Sequence, residues 1–230
     1  MKDFFTDCYD EALREVTIKF KIRNLSNIQK PYDDNDYWPR LARGSYFEKL
    51  FKEHHYHFLY EIQGLSSQIH YGIANALLLR DKISTVHGDP NVYNHRYTFM
   101  LESSIHSIYS YWNRVGLVLN TYLKKPYDIK HTYFRNVVQQ LVRDYPALEK
   151  NPTYLWIVNV NDALDDLDRN EFAHNNSLIM QNFLPKTSAR DNFDALLALP
   201  EILLTNNEFI VNDISNLCDL VEKLESITKP

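Results

Sequence analysis

Three side chains able to act on a phosphate stand within six residues of one another in the run Arg169-Asn170-Glu171-Phe172-Ala173-His174. A neutral imidazole, with an ordinary pKa of about 6.5, can take a hydroxyl proton at physiological pH. A guanidinium can hold a phosphate through two parallel N–H donors and offset charge growing on its equatorial oxygens. The carboxamide of Asn170 can orient the group held between them, because it both donates and accepts hydrogen bonds. Proton transfer beside a clamped phosphate is the chemistry these types can support.

The element that must deliver them is written just upstream. Asn151 can cap a helix, and Pro152 suits its first turn, where an N–H has no intrahelical partner. Trp156, Val160, Leu164 and Leu167 recur at helical spacing and predict a buried stripe. The basic residue, the amide and the histidine arrive where that stripe ends, and Asn175-Asn176-Ser177 offers a stop. Requiring Asn directly after Arg lowers the chance expectation of an Arg-x4-His spacing from roughly 0.4 to about 0.04 occurrences in a chain of this composition.

This Arg-Asn-x-x-x-His resembles the signature of the HEPN superfamily, the higher eukaryotes and prokaryotes nucleotide-binding domains. The resemblance implies an up-and-down four-helix bundle, work as a homodimer and, for many members, metal-independent ribonuclease activity of toxin or defence type. It also implies a composite site in which both copies' Arg169 and His174 meet across a two-fold axis. Helix geometry is compatible with such a site. A spacing of five residues sets the two side chains about 140° apart on a straight helix, whereas a two-fold interface brings one copy's His near the other's Arg.

The motif then supports cleavage of RNA by its own 2′-hydroxyl. His174 is general base, or acid from the second copy, Arg169 is the phosphate clamp and Asn170 the orienting group. A 2′,3′-cyclic phosphate is the expected product, DNA is expected to be inert, and neither a metal nor a cofactor is implied. In toxins paired with a nucleotidyltransferase, a Tyr commonly stands two residues after the motif His and accepts AMP. Here that position is Asn176, so an antitoxin of that kind does not follow, and an antitoxin or regulatory partner stays open. The alternative within the family is a non-catalytic dimer that binds a nucleotide, RNA or partner protein. Outside it, Arg169 would pair with Asp165 and His174 would be solvated.

The remaining chain predicts one helical domain over residues 1–230. The resemblance covers about 45–227, and residues 1–44 form an extension. A helix from about Val92 to Leu123 buries Leu101, Ile105, Ile108, Trp112, Val115 and Leu119. Its opposite stripe of Glu102, His106, Tyr109, Asn113 and Asn120 spans roughly 60°. That stripe reads first as a solvent-facing surface; if instead it faces the motif, Glu102, His106 and Asn113 are the candidate substrate-binding residues. The stretch from Glu102 to Arg114 also looks like the motif-facing long helix of bacterial HEPN proteins of unassigned function. Arg80 and His87 form a second, weaker Arg–His pair, because Asp81 stands where an amide is usual.

Other segments give coarser expectations. Asp3 to Arg14 predicts a short helix, and Val16 to Ile22 alternates like a half-buried strand. Glu208 to Val211 or Leu178 to Phe183 could pair with it in a small β-ribbon. Asn24 to Gly44 predicts a long loop pinned by Tyr32, Tyr37 and Trp38. Ser45 with Glu48 signals a capping box and a helix that runs past Gly64. His54, His57 and Glu61 share a helical face with metal-ligand spacing, but a solvated histidine-rich face is the favoured reading, because no further ligand cluster is evident. Further helices are expected over Lys130–Asp144, from Ser188 to Leu199, and from Asn212 through Ile214, Leu217, Cys218, Val221 and Leu224.

Composition bounds the function. A net charge of −5 gives no broad electrostatic footprint for nucleic acid, so RNA contact needs a local basic cleft. Two cysteines are too few for a disulfide framework and point to a reducing, cytoplasmic setting. The first residues lack an apolar signal region, and no run is long enough to span a membrane.

Overall fold

The computed structural model describes residues 4–28, 36–51, 57–86, 88–165, 167, 177–183 and 189–228. Every regular element among them is helical, and the fold is an all-α bundle. The helices are α1 (Phe4–Lys19), α2 (Leu25–Ile28), α3 (Tyr37–Ala42), α4 (Tyr46–Phe51), α5 (Phe58–Leu79) and α6 (Val92–Asn120). They continue as α7 (Phe134–Asp144), α8 (Pro152–Asp165), α9 (Leu178–Phe183), α10 (Ala189–Val211) and α11 (Ile214–Thr228). None of these helices is long and apolar enough to cross a membrane.

The spine is the antiparallel pair α5 and α6. Glu61 bonds Arg114, Gln68 meets Ser107 and Gly72 faces Ser104, so numbers rise on one helix as they fall on the other. A Cβ on Gly72 would collide with Ser104 Oγ and lie 3.3 Å from the backbone oxygen of Met100, so the glycine lets α6 approach. Leu101, Ile105, Ile108, Trp112, Val115 and Leu119 of α6 are all buried, as their spacing predicts. α7 and α8 pack on one flank of the pair, and α10 and α11 close the core with Leu203, Leu217 and Leu220. Gly116 marks a second close approach, since a Cβ on it would lie 2.9 Å from Phe134 Cα at the start of α7.

The expected β-ribbon is absent among the described residues. α1 runs through Val16 to Lys19, and Leu178–Phe183 and Glu208–Val211 are also helical. Leu13, Val16 and Phe20, spaced three and four apart, turn toward the core, while Ile18 is left 65% exposed. A strand would have buried Ile18 too, but the helix, already propagating from Phe4, needs no partner for its backbone groups. Lys21 N donates to Ile18 O and Ile22 N to Thr17 O, closing α1 in a Schellman turn. Lys21 takes the left-handed position of that turn at φ 53°.

Three other expectations shift. The loop from Asn24 to Gly44 holds α2 and α3. Tyr37 anchors it by donating to Leu25 O and accepting from Gln63, and Trp38 meets Tyr60 edge-on; Tyr32 lies outside the described residues. At Ser45 the backbone N–H donates to Glu225 Oε1 at 2.6 Å, so a residue of α11 fills the role expected of Glu48. The helix expected from Lys130 begins at Phe134, after a 3-10 turn over Ile129–His131.

The short helix expected to stop at Leu199 instead continues through Pro200 to Val211. Pro200 cannot donate to the carbonyl four residues back, that of Leu196. Tyr97 OH supplies the missing donor at 2.9 Å from α6, and buried Phe193, Leu196, Leu203 and Ile210 continue one apolar stripe across the proline. The last helix buries Ile214, Leu217, Cys218, Val221 and Leu224, as its spacing predicts.

Candidate functional site

α8 is capped as its sequence dictates. Asn151 Oδ1 accepts from Thr153 N at 3.0 Å and from Tyr154 N at 3.1 Å. Val160, Leu164 and Leu167 are buried, and Trp156 meets Trp112 edge-on with centroids 6.0 Å apart. The helix therefore ends at Asp165 packed against α7, α10 and α11, with Trp156 resting on Trp112 of α6. Arg169, Asn170 and His174 lie outside the described residues, as do all positions from 168 to 176.

Both flanks of that segment are held by one face of α6. Tyr109 OH donates to Leu164 O at 2.5 Å, in the last turn of α8. Glu102 Oε1 accepts from Leu178 N at 2.6 Å, at the start of α9. Seven residues separate Glu102 from Tyr109, so the two side chains project within about 20° of each other and about 10 Å apart along the axis. Two members of the polar stripe thus tie down the chain before and after the motif.

The other stripe members divide. His106 is exposed between Glu102 and Tyr109. Asn113 Oδ1 accepts from Phe134 N at 3.2 Å and caps α7. Asn120 is buried and brackets Tyr127, donating to its carbonyl at 3.0 Å and accepting from its N–H at 2.9 Å. Of the three candidate substrate-binding residues, His106 alone leaves its polar ring in solvent. Glu102 and Asn113 hold backbone.

A cleft of about 200 Å³ opens beside the end of α8. Its polar rim is Asn113, Tyr133, Arg135, Asn161 and Asp165, and Trp112 and Leu164 lie below. Arg135 donates to Asp165 at 3.2 Å, with both side chains more than half exposed. An exposed pair of this kind exchanges readily with solvent and holds little energy, so the guanidinium can turn to an incoming anion. Tyr133, Arg135 and Asn161 were not picked out from the sequence. Asn161 carried the one usable signal: a carboxamide inside the stripe of Ile157, Val160 and Leu164, itself only 8% exposed.

Two competing constellations resolve differently. Arg80 donates to Glu201 at 2.5 Å and lies over the Phe20 ring, which ties α5 to α10 and α1; His87 is outside the described residues. Among the face of His54, His57 and Glu61, His54 is likewise undescribed, His57 packs edge-on against Tyr60, and Glu61 pairs with Arg114 at 3.0 Å. Asp165 is paired with Arg135, and the Arg169 that the alternative would pair with it lies outside the described residues. No family model, no curated protein and no solved structure matches the chain.

Proposed function

We propose that the chain is a HEPN-type, metal-independent endoribonuclease that acts as a homodimer. One observation carries the reading: Arg169-Asn170-x-x-x-His174 follows directly on a capped, core-packed helix in an all-α bundle. The flanks of that segment are tied to the polar face of α6, which supports its use as a held surface rather than a spare connection. In this mechanism His174 removes the 2′-hydroxyl proton, and O2′ attacks the adjacent phosphorus. Arg169 holds the phosphate oxygens as the O5′ bond breaks. The partner's His174 returns a proton to O5′, leaving a 2′,3′-cyclic phosphate and a free 5′-hydroxyl.

Single-stranded RNA is the expected substrate, because a narrow two-fold cleft admits a splayed strand more readily than a duplex. The test is incubation of wild type, Arg169→Ala and His174→Ala with a mixed RNA pool in EDTA. His174→Ala should lower cleavage roughly 10²–10⁴-fold, the usual contribution of a positioned general base, and Arg169→Ala should do comparable damage. Equal cleavage by all three would trace the activity to a contaminant and refute the assignment.

The second reading is a non-catalytic HEPN dimer that binds a nucleotide, RNA or partner protein. The net charge of −5 favours it, because RNA affinity rests largely on basic contacts to phosphate. An absence of cleavage by the wild type, with dimerisation intact by light scattering, would select it.

A further inference from the structure

Far along the chain from the motif, the exit of α1 and the last turns of α10 enclose a cleft of about 580 Å³. That is the size of cavity that takes small organic ligands, roughly 300–1,000 Å³. The Schellman turn at Lys21 creates it, by burying Ile22 and leaving Lys21 and Arg23 exposed on one wall. Asn207 Nδ2 donates to Arg23 O at 3.0 Å, and the Arg23 guanidinium donates to Asn212 Oδ1, so this wall is stitched to α10. Glu208 stands exposed on the α10 side.

The lining is not self-satisfied. Among the described residues Lys21, Arg23 and Glu208 form no ion pair, although cations and carboxylate line the same cleft. Asn207 is only 2% exposed, and its Oδ1 has no hydrogen-bond partner. Its amide is already oriented by Arg23 O, so what it lacks is a donor. Phe20 and Leu204 supply an apolar wall between these groups.

We propose that this cleft binds a free apolar α-amino acid. The carboxylate lies against Lys21 and Arg23, the ammonium against Glu208, and the side chain on Phe20 and Leu204. One zwitterion answers the unpaired charges of both signs at once. A simple anion answers only the cations.

The test is isothermal titration calorimetry on the full chain with L-phenylalanine and L-leucine. N-acetyl-L-phenylalanine, which lacks the ammonium, and L-phenylalaninamide, which lacks the carboxylate, are titrated alongside. At least one amino acid should bind with a Kd of millimolar or tighter, and both derivatives should bind about tenfold more weakly or worse, the loss of one charge-assisted contact. Arg23→Gln and Glu208→Gln, both on exposed positions, should weaken binding similarly while melting like wild type. No heat from either amino acid at millimolar concentration overturns the proposal. Equal binding by the two derivatives, or no loss in either variant, overturns it as well.

Discussion

Glu102 gives the most direct test of how the motif segment is held. Its carboxylate takes the N–H of Leu178 at 2.6 Å, a short, charge-assisted bond from a partly buried position. Hydrogen bonds to a charged group contribute about 1.5–3 kcal/mol, and neutral ones about half as much. Glu102→Ala should therefore destabilise the chain by about 1.5–3 kcal/mol, and Glu102→Gln, which keeps an acceptor in place, by about 1 kcal/mol. The loss should be local before it is global. Amide exchange at Leu178 should speed up about tenfold per 1.4 kcal/mol, while amides in the centre of α6 should change only as far as global stability does. Urea melts give the second number, and RNA cleavage gives the functional one. On the proposed nuclease function, cleavage should fall in the Ala variant and recover in part with Gln, whereas Ser110→Ala, on the exposed side of α6, should leave it unchanged. Unchanged exchange at Leu178 in Glu102→Ala would refute the clamp. So would a Gln variant as damaged as the Ala variant, because the charge-and-acceptor argument predicts a graded response.

Three further predictions follow from the packing. Tyr97→Phe strips the donor from the buried Leu196 carbonyl and should cost about 1–3 kcal/mol by urea unfolding; in a Pro200→Ala background, where residue 200 regains its N–H, most of that cost should vanish. Gly116→Ala forces a methyl to within 2.9 Å of Phe134 Cα and should cost about 1–3 kcal/mol, with backbone amide shifts concentrated at the start of α7. Burial lowers the His70 pKa from its ordinary value of 6.5, so the unfolded chain binds the proton more readily than the folded one. Stability should accordingly be level in this group's contribution above pH 6.5 and fall as the pH drops below it, and His70→Gln should flatten that acid limb in melts across pH 5–7.

The long helices were legible because their apolar positions admit one period. α6 and α11 bury the residues that their spacing names. Val16 to Ile22 admits two periods: Val16, Ile18, Phe20 and Ile22 alternate, whereas the helical set Leu13, Val16 and Phe20 has its first member outside the run. In the folded chain the longer periodicity wins, since α1 satisfies its own backbone while a lone strand would need a ladder that no neighbour provides. The helix expected to end at Leu199 runs on through Pro200, and what supplies the donor the proline lacks is one hydroxyl from Tyr97, about a hundred residues upstream. The capping of Ser45 by Glu225 hides in the same way. The site divides along this line too. Glu102 and Tyr109 are i and i+7 on one helix, so their common face could be read, and that face is the one holding both flanks of the motif segment. Tyr133 and Arg135 join the neighbouring cleft at the start of α7, where Asn113 of α6 accepts from Phe134 N, a contact between elements that no single period encodes. Periodicity along one element could be read from the letters; contacts made between elements had to be seen, and here the contacts assign Glu102 and Asn113 to holding backbone and leave His106 as the stripe's exposed imidazole.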